Sequence, residues 1–439
     1  MFKTLKNAWR IPELKKKLLF TLLIVVLYRL GANIPVPFVD PGIFESANAI
    51  ASGTILSFLN MLSGEALGKA TLLALGVSPY ITASIVIQLL TIAIPALERW
   101  SKDGDNGRKK ITALTRIVTV VLALVTSIGY AFYLNNYGYL IIDEPTFAHY
   151  ALIVLCYCAG AALVMWMAEK INESGIGNGI SIILFANIIA GIFSAVQTIW
   201  SNIFTTGGFT GFSWLGLVFS IIEIIVLIGM VMLIVWMSDA ERRIPIQYAK
   251  RVVGRKMYGG QNTNLPIKVN MSGVMPIIFA NSIVAIPATI ASFLKSDNAF
   301  AQWVLKWFNY DTWPYFAVFL VLLIAFAYFY VMISFNPIEV ANNIKNNGGA
   351  IPGIRSGRPT IEFIKKVLYR ITLVGALLVA FIACFPMAVN NICTIFEFTG
   401  FAALAFGGSS MMIVVGVALE TTRDLEAQMS LRNYKGFLD

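Results

Sequence analysis

The sequence predicts an all-α integral membrane protein with ten spanning helices. Three observations carry that prediction. Hydrophobic residues make up 58% of the 439 residues and charged residues only 13%, where a soluble domain has about 25% charged. The mean hydropathy is +0.75, so too little polar surface remains to cover a globule in water. Ten stretches stay apolar over the ~20 residues that a helix needs to cross a bilayer. The basic residues between those stretches fall almost entirely on one side. The same composition excludes disordered, collagenous and disulfide-scaffold classes.

In chain order the stretches are Leu18–Ile34, Leu72–Ala93, Ala113–Leu134, Tyr150–Ala168, Ile180–Trp200, Ser213–Met237, Met271–Phe293, Trp313–Phe335, Val367–Ala388 and Gly400–Leu419. They are continuous rather than alternating, so they are helices and not barrel strands. An even count puts both termini on one side. That side carries 29 Lys and Arg, in clusters before span 1 and after spans 2, 6 and 8. The other side carries Lys69, Lys295 and Lys306, and Arg29 lies within span 1. Excess Lys and Arg mark the cytoplasmic side, so both termini are expected there. The net charge of +10 reflects this asymmetry rather than a nucleic-acid surface. Met1 leads into a basic, Trp-containing segment with no cleavage pattern, so no removable signal peptide is expected.

The chain offers little catalytic chemistry. His149 is its single histidine. Cys156, Cys158, Cys384 and Cys393 lie in or beside apolar runs and read as small buried residues. The sequence has no phosphate-binding G-x-x-x-x-G-K-[ST] loop, no H-E-x-x-H and no paired carboxylates on one helix face. No enzyme activity, cofactor or metal is expected, and uphill movement would need a partner or a gradient. Two charges lie well inside spans, Arg29 and Glu223, while Arg116 and Arg370 fall only at span ends. An intramembrane charge is a functional candidate. Arg29 is placed to snorkel, and Glu223 either functions or pairs within the bundle.

Three segments outside the spans stand out. Residues 57–70 are moderately apolar, hold Gly64 and Gly68, and are too broken to cross. A half-helix dipping into a cavity fits, as does an ordinary external amphipathic helix. The segments 238–270 and 336–364 are long and basic, with Pro and Gly beside Arg, and loops of that length are usually functional or mobile. Five spans on either side of a midpoint permit an inverted repeat. Branched residues beside small ones, such as Ile81, Ile85, Leu184, Ile188 and Ile413, suit either packing or a pore. From composition the reading stops at a ten-helix channel or transporter.

Several strings then resemble the SecY family, whose members are the central subunit of the bacterial protein-translocation channel. They are Asn60–Gly64, Ala74–Leu90 (ALGVSPYITASIVIQLL), Glu173–Ser181 (ESGIGNGIS), Glu241–Arg251 (ERRIPIQYAKR), Leu265–Met271 (LPIKVNM), Pro352–Arg355 and Phe406–Gly408. The tail Arg432–Phe437 resembles that of Gram-positive members. The strings cover essentially the whole chain in order. The resemblance implies an hourglass channel of two five-helix halves, 1–200 and 201–439, with a cytoplasmic tail over 420–439. Spans 2 and 3 would face spans 7 and 8 across a lateral gate, to which Ser84, Gln88, Asn281 and Ser282 would belong. Residues 57–70 would hold the plug, comprising Asn60, Met61, Leu62, Ser63, Gly64, Glu65, Ala66, Leu67 and Gly68. The constriction would be Ile81 and Ile85 on span 2, Leu184 and Ile188 on span 5, Ile278 on span 7 and Ile413 on span 10. Leu184 departs from the usual isoleucine. Arg242, Arg243, Lys250, Arg251, Arg255, Lys256, Arg355 and Arg358 would dock the SecA motor ATPase or the ribosome. SecE and SecG would be membrane partners, and signal peptides, precursor chains and lipid the other contacts. The bacterial plasma membrane would be the location.

The physics suits that implication. A ring of branched apolar side chains dewets a constriction, and an apolar segment gains by moving sideways into lipid at about 25 cal/mol per Å². Basic loops would favour polyanionic ribosomal RNA. A small-solute transporter would show broken helices in both halves and polar midplane residues, but here only span 2 is visibly broken, at Gly76–Pro79. A pore-free scaffold or insertase fits a plug-like segment less well.

Overall fold

The computed structural model describes residues 2–40, 60, 62–136, 138–142, 146–191, 214–248, 251–253, 256–258, 262–293, 302–304, 307, 312–395 and 408–435. Each of the ten apolar stretches holds a helix among its described residues. A short α1 (Phe2–Trp9) leads into α2 (Pro12–Gly31), where Pro12 occupies the first turn and its missing N–H leaves no gap. Span 2 is α3 (Ser78–Ala93), which meets α4 (Pro95–Lys102) at a bend of 101°. Ile94 is extended there, at φ −107 and ψ 113, because the ring of Pro95 disfavours helical backbone in the residue before it. Then follow α5 (Gly104–Asn136), α6 (Phe147–Ser174), α7 (Gly179–Gly191), α8 (Trp214–Asp239), α9 (Met275–Phe293), α10 (Trp313–Ser334), α11 (Pro337–Asn346), α12 (Arg358–Ile395) and α13 (Gly408–Lys435). His149 caps α6, its Nδ1 accepting from the Thr146 N–H at 3.1 Å.

Among the described residues, five helices are long and apolar enough to cross a membrane unaided, and the α3–α4 pair makes a sixth. Gly179–Gly191 and Met275–Val284 are shorter apolar helices. Large apolar side chains stay exposed along the spans, including Leu22, Val121, Ile225, Trp236 and Val321. In water such a surface would drive association. Against lipid tails it costs nothing.

The helices outrun the apolar stretches at the basic end. α5 begins at Gly104 rather than Ala113, α12 at Arg358 rather than Val367, and α13 runs to Lys435 rather than Leu419. The 33 residues of α5 span about 50 Å against a ~30 Å hydrocarbon core. Hydropathy marks where a helix meets lipid, whereas its backbone bonds continue through polar residues. Cys156 and Cys158 are only half-buried, unlike Cys384, because α6 turns that face outward.

The two long basic segments are not loops. β1 (Glu241–Tyr248) pairs antiparallel with β4 (Asn262–Lys268), Glu241 opposite Lys268 and Gln247 opposite Asn262. β2 (Arg251–Val253) and β3 (Lys256–Tyr258) form a second, distal pair. The far segment supplies α11 and then β5 (Gly349–Ala350), which pairs with β1 at Gln247 and Tyr248. Pro245 is tolerated in β1 because β5 leaves the strand unpaired alongside it. Ile244, Ile246 and Ile267 pack with Val331, Ile344, Ile351, Ile364 and Leu368. Both basic segments therefore share one apolar core above α10 and α12. The alternation in Ile244-Pro-Ile-Gln-Tyr248 was the period-two signal for a strand.

Residues 57–70 are not a half-helix over the described part. Asn60, Leu62 and Ser63 are helical, and the chain then runs in turns from Gly64 through Val77, with Thr71 bridging to Pro35. Gly76, at φ +53, delays the start of α3 to Ser78. Residues 57–59, Met61, Lys250 and Arg255 lie outside the described residues.

Candidate functional site

The six residues expected at a constriction come from four helices: Ile81 and Ile85 on α3, Leu184 and Ile188 on α7, Ile278 on α9 and Ile413 on α13. Five are buried and Ile278 is partly so, and all six belong to one apolar cluster. That cluster is larger than a ring, extending to Tyr28, Met237 and Phe319. A more selective feature is a cavity of about 290 Å³. Leu184, Ile278 and Ile413 line it from three different helices, and Ser181, Lys268, Asn270, Glu420 and Arg423 line it toward the basic end. Arg423 bonds Asp239 at 2.6 Å and the Ser238 carbonyl at 2.9 Å, tying α13 to α8. Burial, with Asp424 nearby, pushes the Glu420 carboxyl above its ordinary range. The cavity thus has polar lining toward the basic end and apolar lining from α7, α9 and α13.

The segment from Asn60 to Ala70 approaches from the other end. Along α7 the cavity touches Ser181 and Leu184, and the segment is bonded to Ala186 and Asn187, further from the basic end, through Arg29. Leu62 packs on the constriction cluster, and Leu67 and Ala70 pack in a second cluster with Tyr130 and Tyr157. The segment closes on itself. The Asn60 side-chain oxygen accepts from the Gly68 N–H at 2.7 Å. The Ser63 hydroxyl donates to the Asn60 carbonyl at 2.8 Å and accepts from the Leu67 N–H at 3.0 Å.

Irregular backbone at membrane depth must have its polar groups satisfied by protein, and four side chains do most of this. Arg29 donates to the Gly64 carbonyl at 3.1 Å. Its other nitrogen donates to the carbonyls of Ala186 at 2.8 Å and Asn187 at 3.2 Å. The Asn187 amide donates to the Leu62 carbonyl at 2.7 Å and to the Tyr28 hydroxyl at 2.9 Å. Tyr130 donates to the Leu67 carbonyl at 2.6 Å, and Tyr157 to that of Ala70 at 3.3 Å. Arg29 therefore does not snorkel, because backbone carbonyls within reach hold it inside. Sequence reasoning missed Asn187, Tyr130 and Tyr157. A lone amide in the apolar run of α7 was the one available signal for Asn187. The tyrosines carried none, since buried tyrosine is ordinary in a bundle. Glu223 is fully buried on α8 and does not line the cavity.

α3 and α5 both pack on α9, and α9 on α10. Ser84 is partly buried and Gln88 exposed on α3, while Asn281 is buried and Ser282 partly buried on α9. Ser282 donates to the Ile278 carbonyl at 2.8 Å. At the basic end Arg242, Arg243, Arg355 and Arg358 are exposed. Arg243 pairs with Glu241 at 2.6 Å and Arg358 with Glu362 at 3.3 Å. Arg251 and Lys256 lie on β2 and β3. Arg355 sits in the turn between β5 and α12, its carbonyl accepting from the Thr360 hydroxyl at 2.8 Å.

A family model described as SecY matches residues 71–422. Among curated relatives, the protein translocase subunit SecY of Halalkalibacterium halodurans is 40% identical over 439 residues, covering all of both chains. That of Streptomyces coelicolor is 43% identical over 457 aligned positions, and that of Bacillus subtilis 38% over 442, each again covering both chains fully. A solved protein-conducting channel superposes with a TM-score of 0.61 at 19% identity, covering 96% of each chain. Canine Sec61 in a ribosome–channel complex from the endoplasmic reticulum gives 0.56 at 18%, also covering 96% of each chain. The family model spans most of the chain, the identity to translocase subunits runs over its full length and the architecture matches, so the chain belongs to the SecY family.

Proposed function

We propose that this chain forms a protein-conducting channel that passes unfolded polypeptides across a membrane and releases apolar segments sideways into lipid. The observation that carries the reading is the apolar floor shared by α7, α9 and α13, open to a polar cavity on one side and approached by residues 60–70 on the other. Ile81, Ile85, Leu184, Ile188, Ile278 and Ile413 make the constriction, whose branched side chains part around an extended chain and dewet when it leaves. Residues 57–70 are the plug. Ten helices cross the membrane in two halves, 1–200 and 201–439, and the seam where α3 and α5 meet α9 is the lateral gate, bearing Ser84, Gln88, Asn281 and Ser282. A segment apolar enough to prefer lipid leaves there, and a polar one continues through.

The chain carries out no catalytic step in this reading, and partners supply the energy. The exposed arginines of the sheet and of the β5–α12 turn dock a SecA-type motor or the ribosome, and SecE and SecG complete the assembly. The basic end and both termini then face the cytoplasm of a bacterium. Reconstitution tests the whole reading. Vesicles holding the channel, its partners and the motor take up a secretory precursor in an ATP-dependent way. A solute carrier or a pore-free scaffold would take up none.

A further inference from the structure

The plug is held at two places, and the backbone between them is strained. One anchorage is fixed to α5 and α6, where Tyr130 and Tyr157 hold the carbonyls of Leu67 and Ala70. The other is the polar knot of Arg29, Asn187 and Tyr28 around Leu62, Ser63 and Gly64. There the Tyr28 hydroxyl also reaches the Ser63 carbonyl at 3.5 Å. Between and beside these anchorages Gly64 has φ +67, Glu65 +69 and Ala70 +46. Glycine adopts that left-handed backbone freely, but glutamate and alanine do so only when their surroundings impose it. Space is also tight at the knot. A Cβ on Gly64 would lie 2.7 Å from one Arg29 nitrogen and 2.9 Å from the Asn187 side-chain oxygen. The knot therefore needs glycine at 64 on two counts, and it holds Glu65 in a conformation that residue would otherwise leave.

We propose that Arg29 and Asn187 are a latch that keeps the plug shut against the strain at Glu65, and that letting go of Gly64 and Leu62 is the opening step. The inference rests on the plug reading above and adds what holds the plug. Among the described residues Arg29 makes no salt bridge. One guanidinium bridges the plug and α7 through three carbonyls, each a charge-assisted bond of the stronger kind. The tyrosine anchorage remains, so the plug swings about Leu67–Ala70 rather than detaching.

The latch and the strain oppose each other, so their variants should move the channel in opposite directions. The assay is resting ion conductance of vesicles carrying the full-length channel with its partners, alongside protein level. Arg29→Leu raises leak about tenfold, since a left-handed residue of this kind is worth a factor of that order, and Arg29→Lys falls between it and the parent. Glu65→Gly lowers leak in the parent and brings Arg29→Leu back toward it. Glu65→Asn, which also tolerates left-handed backbone, does the same. If Arg29→Leu fails to accumulate, the glycine arm alone decides: leak unchanged or raised by Glu65→Gly in the parent overturns the latch. So does parental leak in Arg29→Leu at normal protein level. Deleting residues 60–70 separates the two readings. Leak that rises on deletion but not with Arg29→Leu removes the latch and spares the plug, and no rise on deletion removes both.

Discussion

Residues 64–77 run mostly as turns among the helices, whereas residues 241–268 pair with themselves as a hairpin at the basic end. Neither segment is apolar enough to span, and each must satisfy its backbone without a spanning helix. The hairpin does so internally. Its ladder comes from one stretch of chain except for the two-residue β5, and alternate isoleucines lay an apolar face on the ends of α10 and α12. The plug does so externally, borrowing donors from α2, α5, α6 and α7. A segment that carries its own hydrogen bonds is a stable platform, suited to displaying arginines to a large partner. A segment that depends on donors from its surroundings is bistable, because exchanging those donors releases it. The contrast predicts that the two regions can be broken independently.

The largest separation should come from charge reversal in the turn after β5. Arg355→Glu is expected to cut motor-driven precursor uptake more than tenfold while resting ion conductance stays at the parental level, because the residue is solvated and remote from the cavity. A rise in leak in this variant would merge the two regions into one device.

Ile413→Asn makes the converse break. It puts an amide at the apolar floor, and closure is a small free-energy difference, so a few kcal/mol shifts populations strongly. Leak should rise several-fold and precursors with defective signal sequences should pass more readily, with motor docking intact. Unchanged conductance and unchanged signal stringency at normal protein level would take Ile413 out of the constriction.

A cysteine at Leu67 should crosslink at rest to a cysteine placed beside Tyr130, and the bond should survive in channels jammed with a precursor. One at Ser63 should lose its crosslink to α7 on jamming. Equal loss at both positions would mean that the plug leaves as a unit rather than swinging.

In the sheet, Ile267→Ala removes a fully buried side chain and should cost about 2–5 kcal/mol locally. Limited proteolysis would register this as faster cleavage between β1 and β4, with leak unaltered. The smallest effect is expected from single exposed arginines. Arg242→Ala should weaken ribosome binding modestly and reduce the salt dependence of that binding by about one charge equivalent.

Much of this was legible from the residues. Spans, their order and the sidedness of charge follow from the transfer cost of side chains, which each residue carries with it wherever the chain goes. The break at Gly76–Pro79 follows from backbone sterics, which are equally local, whereas the bend before Pro95 has the same kind of origin but was not read in advance. The family strings also pointed to six residues that the fold brings into one apolar cluster. The helix ends beyond the bilayer were not legible, since hydropathy is blind to a helix once it leaves lipid. The strands were half legible: Ile244 and Ile246 alternate as a strand should, but the β5 partner of Gln247 and Tyr248 lies about a hundred residues away and only the fold supplies it.

The sequence by itself determined that the chain lives in a membrane, which way its charges face and where its helices must break, because those are sums of single-residue free energies. Only the tertiary structure decided what Arg29 does. An arginine inside a span has no local solution. Its partners are carbonyls 35 and 158 residues further along, and whether it snorkels, pairs or latches depends on which of them the fold places within hydrogen-bond reach.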